Sequence, residues 1–159
     1  MECGGMTLVT PEVSEVRLTY RNRVKEEDRT KISCAYEIAD LVRRMSDMDE
    51  SVGYRELFYA VYMDTAQNVL AVMKVSEGGL NSTSVDRRMI FQAALLLSST
   101  VFAVVHNHPS GVLTPSRQDL SLVEGIRSAA ELLDIKLLDS IIIGEDPFRY
   151  YSFVEEGRM

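Results

Sequence analysis

Residues 101–119 read VFAVVHNHPSGVLTPSRQD. The opening Val101–Val105 is wholly apolar and rich in β-branched residues, which predicts a short buried strand. His106 and His108 follow at once, and they are the only two histidines in the chain. In extended backbone, residues i and i+2 point to the same face, so the two imidazoles converge on one point. Converging neutral imidazoles suit a borderline-soft divalent ion, most often zinc. Two ligands do not complete a catalytic zinc site; three and an open position are typical. Pro109, Gly111 and Pro115 then bend the chain, and Asp119 opens the next helix, from where a carboxylate can return to the strand end. A metal held there would also stabilise the corner. The same residues fit plain structure. A turn rich in Pro, Gly and Ser is ordinary loop chemistry. Ser116-x-x-Asp119 has the form of a capping box, although Glu or Gln is more usual at its last position. Spacing alone leaves the metal site and the structural turn both open.

Outward from this stretch the pattern alternates. A helix is expected from near Ser116 to Leu133, then strands over Lys136–Ile143 and Arg149–Phe153. On the other side, Asp86 to about Ser98 has the pattern of a largely buried helix. Glu56–Asp64 (ELFYAVYMD) is aromatic and β-branched and predicts a buried strand. Thr65–Asn68 supplies a turn, and Val69–Val75 the returning strand of a hairpin. Gly78-Gly79 breaks that pattern. Thr30 or Ser33 is placed to cap a helix running to about Ser46, with Ile32, Tyr36, Ala39, Leu41 and Val42 as its apolar stripe. Arg21–Thr30 is densely charged and expected to be solvated, and Glu15–Arg21 (EVRLTYR) alternates as a strand does. Residues 1–13, with Gly4-Gly5 and Pro11, are expected to be a flexible terminus. The order is β, α, β, β, α, β, α, β, β. That order implies one layered α/β domain over residues 14–159, its sheet mixed because it contains a hairpin.

Composition narrows the classes. The chain has 159 residues, 46% apolar and 26% charged, which suits one globular domain and excludes a disordered or fibrous chain. The longest apolar runs, Ala93–Leu97 and Val101–Val105, are too short to span a bilayer. The start MECGGMTLVT lacks a basic segment followed by an apolar one, so a cytoplasmic protein is expected. Acidic residues outnumber basic ones, 24 to 17, for a formal charge of −7, which opposes attraction to a polyanion such as DNA. Cys3 and Cys34 form no CxxC pair and are expected to be free thiols. Asp47, Asp49 and Glu50 are expected in a solvated turn. Met45, Met48, Met63, Met73 and Met89 are expected to fill core gaps. Arg87 and Arg88 could contact phosphate, but early-helix cations on a soluble surface need no partner. EVRLTYR, as an exposed strand, offers an edge for a second copy, a weak pointer to a homo-oligomer.

His106-x-His108, ten intervening residues and Asp119, with Ser116 in SxxD, resemble the JAMM motif of MPN-domain metalloproteins. More closely, HNHPSG followed by PSRQDL resembles the RadC family. ELFYAVYMD, VSEGGLNSTSVDRRMIFQAALL, ELLDIKLLDSIIIG and YYSF fall where RadC-like chains have similar stretches. The resemblance extends from Thr30 to the C-terminus. It implies an MPN fold of the cytidine-deaminase-like kind, with a central mixed sheet flanked by helices. It implies one zinc ion held by His106, His108 and Asp119, with water in the fourth position. Glu56 matches the motif's upstream glutamate, the general base, and Ser116 the serine that assists the oxyanion. The residues alone do not select Glu56 from Glu50 and Glu77. The implied activity is a zinc-dependent hydrolase, peptidase- or isopeptidase-like, with a protein or peptide substrate. A metal-binding scaffold or DNA-repair accessory is the alternative, and a metal-dependent nuclease is the third reading. Two departures stand out. Asp139-Ser140 occupies the place where RadC chains commonly read Asp-His. The usual N-terminal helix-hairpin-helix region has no room here, so a short stand-alone member is expected, and direct DNA binding is weakened with it.

Overall fold

Two strands have no polar face. Strand β1 (Leu57–Met63) and strand β3 (Val101–Asn107) are buried at every position, and so they lie at the centre of the sheet. The computed structural model describes residues 23–45, 47–78 and 85–159. The expected strand over Glu15–Arg21, the expected flexible terminus at 1–13, and Gly79 lie outside these residues.

Helix α1 (Ala35–Met45) precedes β1. Strand β2 (Val69–Glu77) returns antiparallel to β1. Its turn is tied by Asp64, whose carboxylate accepts from the Ala66 and Asn68 amides. The sheet order is β2-β1-β3-β4-β5, with β4 at Lys136–Ile143 and β5 at Tyr150–Ser152. β1 pairs antiparallel with β3, and β4 with β5. Only β3 and β4 run parallel, because a helix crosses over between them.

Alternation along the strands gives the sheet two apolar faces. Leu57, Tyr59, Val61, Val101, Ala103 and Val105 pack under α1 with Ile38 and Val42. Phe58, Ala60, Tyr62, Phe102 and Val104 pack under two helices on the other side. Those are α3 (Arg87–Leu96) and the crossover helix α4 (Arg117–Leu132). The result is the expected α/β architecture, a mixed five-stranded sheet between helical layers. Across α3 and α4, Gly125 permits close approach. A Cβ there would lie 2.1 Å from the Arg87 guanidinium. Arg88 turns back to its own N-cap, Asp86.

Every element expected within the described residues is present, with ends shifted by a few residues. The acidic segment departs from expectation in part. Its carboxylates are solvated as expected, but on a short helix, α2 (Met48–Ser51), rather than a turn. Met48 is fully buried beneath it. Asp47 accepts from the Tyr59 hydroxyl and the Lys74 ammonium, and Asp49 pairs with the buried Arg43. An acidic run hides this arrangement because the partners lie far away in sequence. Met63 fills the core and Met73 packs against it, but Met45 and Met89 are exposed. In the α1 stripe Tyr36 is exposed and Ile38 takes the core position. Among the described residues, no helix is long and apolar enough to cross a membrane.

Candidate metal centre

The centre forms where β3 runs out. His106 pairs with Phe58 of β1 and is 2% exposed. The Phe58 ring stacks on its imidazole, with centroids 5.7 Å apart and planes 17° apart. The chain then turns sharply. The Gly111 amide donates to the His108 carbonyl at 2.9 Å, and Gly111 has φ +71°, a left-handed conformation that suits glycine. The turn brings the Val112 carbonyl to 2.6 Å from His108 Nδ1. A carbonyl only accepts, so Nδ1 carries the proton; in the neutral ring Nε2 then offers its lone pair, and in the charged ring it donates to Asp119.

Asp119 arrives from the far side of the turn. Ser116 is the N-cap of α4, and its hydroxyl accepts from the Asp119 amide at 3.2 Å. Asp119 Oδ2 accepts from the Ser116 amide at 2.6 Å, so the capping box is complete. Both readings left open by spacing are therefore present in the same residues. The box fixes the carboxylate, and the carboxylate faces the histidines. His106 Nε2 lies 3.2 Å from Asp119 Oδ1, and His108 Nε2 lies 3.3 Å from Oδ2. The two Nε2 atoms are 3.1 Å apart.

These groups perturb one another. Burial acts to raise the Asp119 pKa, but hydrogen bonds from His106, His108 and Ser116 together hold it far below the usual carboxylate range. The hydrogen bond to Asp119 raises His108. Burial opposes this, while the Val112 carbonyl and the charges of Asp119 and Glu56 reinforce it.

The donor set fits a metal ion. Bonds of about 2.0–2.1 Å at tetrahedral angles place ligand atoms roughly 3.3 Å apart, close to the separations found here. Two imidazoles and one carboxylate suit zinc among divalent ions. His108 has the outer-shell acceptor that fixes a ligating imidazole. His106 Nδ1 is buried and has no hydrogen-bond partner; stacking on Phe58 sets its ring plane instead. Among the described residues, His106, His108 and Asp119 form one group able to hold a metal.

Glu56 and Ser116 border the group without joining it. The antiparallel register ends at Phe58↔His106; extended by two pairs, through Leu57 and Asn107, it would set Glu56 opposite His108. Strand alternation gives Glu56 the face that Phe58 and His106 share. Ser140 lies in β4 opposite Val104, fully buried, with its hydroxyl unpartnered. Sequence reasoning overlooked Asn107. It is fully buried between the two histidines, and a polar residue ending an apolar strand was the available signal.

A family model for the RadC-like JAB domain matches residues 32–158. Among curated relatives, the UPF0758 protein of Flavobacterium johnsoniae is 35% identical over 135 residues, covering 85% of this chain and 58% of the relative. That of Desulforudis audaxviator is 48% identical over 94 residues, covering 59% and 41%. That of Methanosarcina mazei is 39% identical over 132 residues, covering 83% and 55%. The chain spans about half the length of the curated relatives it matches. With a mixed sheet between helices and a His-His-Asp group at its strand end, the chain belongs to the RadC-like JAB domain family.

Proposed function

We propose that this chain is a zinc-dependent hydrolase of the JAMM type that cleaves an amide or isopeptide bond in a protein or peptide. The observation that carries this reading is the convergence of three protein donors, His106, His108 and Asp119, on one point. Three donors are typical of catalytic zinc, whereas structural zinc is closed by four. Among the described residues, no fourth His, Cys, Asp or Glu joins the group.

The three side chains hold the ion, which when bound supplies Lewis acidity and lowers the pKa of water from 15.7 towards about 7. Glu56 accepts the proton of the attacking water and passes it to the leaving amine. The Ser116 hydroxyl accepts from the Asp119 amide and keeps its own proton, which it donates to the developing oxyanion. The capping box and the Val112 carbonyl keep Asp119 and His108 aimed at the ion throughout.

A two-metal nuclease is less well supported. Such sites use clustered carboxylates that share ions, and the group here has a single aspartate. The net charge of −7 adds no attraction for nucleic acid.

The test uses the zinc-loaded chain against linear peptides, isopeptide-linked peptides and DNA. Cleavage of a peptide class is expected. Glu56→Gln is expected to keep its zinc and to lose about 10²–10⁴ in rate. Parental turnover by that variant would remove Glu56 as the base. DNA cleavage abolished by His106→Ala, with no peptide cleaved, would replace this reading with the nuclease.

A further inference from the structure

The side chain between the two histidines points away from them. Alternation puts His106 and His108 on one face and Asn107 on the other. Asn107 is fully buried, with a relative exposure of 0%. A polar side chain so buried must find partners or cost stability. Asn107 finds three, all in the backbone that leads into β1. Its Oδ1 accepts from the Leu57 amide at 2.8 Å. Its Nδ2 donates to the Val52 carbonyl at 2.9 Å and to the Arg55 carbonyl at 2.6 Å.

Two of those partners, Arg55 and Leu57, flank Glu56. The pairing between β1 and β3 ends at Phe58↔His106, two pairs short of Glu56. Where the backbone ladder stops, the Asn107 amide continues the connection. On the other side of Glu56, its own carbonyl accepts from the Gly78 amide at 2.8 Å. The Glu56 backbone is thus fixed from both neighbouring strands, and the bonds on the β3 side come from a residue covalently joined to both histidines.

We infer that Asn107 is a positioning residue: its side-chain amide sets where Glu56 stands relative to the ion held by His106, His108 and Asp119. Any displacement of His106 and His108 carries Asn107 with it, and Asn107 carries the segment that bears the glutamate. The inference rests on the proposed role of Glu56. It adds a residue that touches neither substrate nor metal.

The test needs no substrate. The full chain is loaded with cobalt(II), and visible absorption is followed against pH for the parent, Glu56→Gln, Asn107→Ser and the double variant. Metal stoichiometry and thermal unfolding are recorded for each. Asn107→Ser is expected to bind one cobalt as the parent does, since it removes neither a ligand nor a hydrogen bond to a ligand side chain. Its absorption midpoint is expected to move in the direction that Glu56→Gln moves it. Adding Glu56→Gln to Asn107→Ser is expected to produce little further shift, the non-additivity of residues acting through one group. A parental midpoint in Asn107→Ser, or shifts that simply add, would overturn the inference and leave Glu56 in its role. A parental midpoint in Glu56→Gln would overturn the role of Glu56 and the inference with it. Asn107→Ser leaves backbone groups short of partners and is a candidate for misfolding. The unaltered chain therefore provides a second measurement. Slow hydrogen exchange of the Leu57 amide, matching that of Phe58, is expected; fast exchange at Leu57 would contradict the tether.

Discussion

Asp119 and Asp139 are buried carboxylates on opposite faces of one sheet, 8% and 4% exposed, and their proton affinities are driven in opposite directions. For both, burial is the largest influence and acts to raise the pKa. Around Asp139 it prevails. That carboxyl accepts from the Ser152 hydroxyl and from the Ser140 and Val154 amides, all neutral donors, and its pKa remains above the ordinary value. Around Asp119 burial is overcome, because two imidazoles and the Ser116 amide converge on the carboxylate. Burial alone does not prepare a carboxylate for a cation; the partners decide. Asp139 joins β4 to β5 and the C-terminal segment, whereas Asp119 completes a centre.

The widest separation is expected from exchanging each carboxylate in turn. Asp119→Asn retains an oxygen able to accept the Ser116 amide, so the helix cap survives. Loss of its charge and of a ligand is expected to weaken zinc binding by more than about a hundredfold, because even outer-shell partners contribute about 10–100-fold. Chelator competition measures this. Zinc binding at parental affinity would place Asp119 beside Asp139 as a structural group. Asp139→Ala is next in size. It leaves a buried hydroxyl and two amides without their acceptor, and it is expected to cost about 1–3 kcal/mol in urea unfolding while leaving zinc stoichiometry unchanged. Loss of zinc in that variant would erase the distinction between the two faces.

The smallest expected effect is a pH dependence. A carboxyl whose pKa is raised by folding contributes its full stabilisation below the unfolded value of 3.8, and that contribution is lost as pH climbs through the folded pKa. Asp139→Asn has no such titration. Urea unfolding of parent and variant, followed upward from about pH 4, is expected to show the difference shifting towards the variant. A difference independent of pH would show that Asp139 is not raised.

The parts of this contrast legible in the sequence are those set by local pattern. VFAVV and KLLDSIII declare themselves as strands because the sheet buries them on both faces. The histidine pair is legible because strand alternation alone brings His106 and His108 together, and Asp119 because a turn of Pro, Gly and Ser separates it from them. Glu56 was selected through resemblance, since its approach to His108 depends on the β1–β3 pairing, which no local spacing encodes. Asn107 was overlooked for the same reason: its partners lie 50 to 55 residues earlier in the chain. The acidic segment at Asp47–Glu50 was legible as solvated but not as partnered, because Tyr59, Lys74 and Arg43 reach it only after the sheet has formed.

Metal content tests the central claim most directly. The purified chain and its His106→Ala/His108→Ala variant, both shown to be folded by circular dichroism, are dialysed against the same zinc-containing buffer and analysed by elemental mass spectrometry. A stoichiometry near one in the parent and near zero in the variant is expected. Equal zinc in the two, or none in the parent, would contradict a centre built from these three side chains.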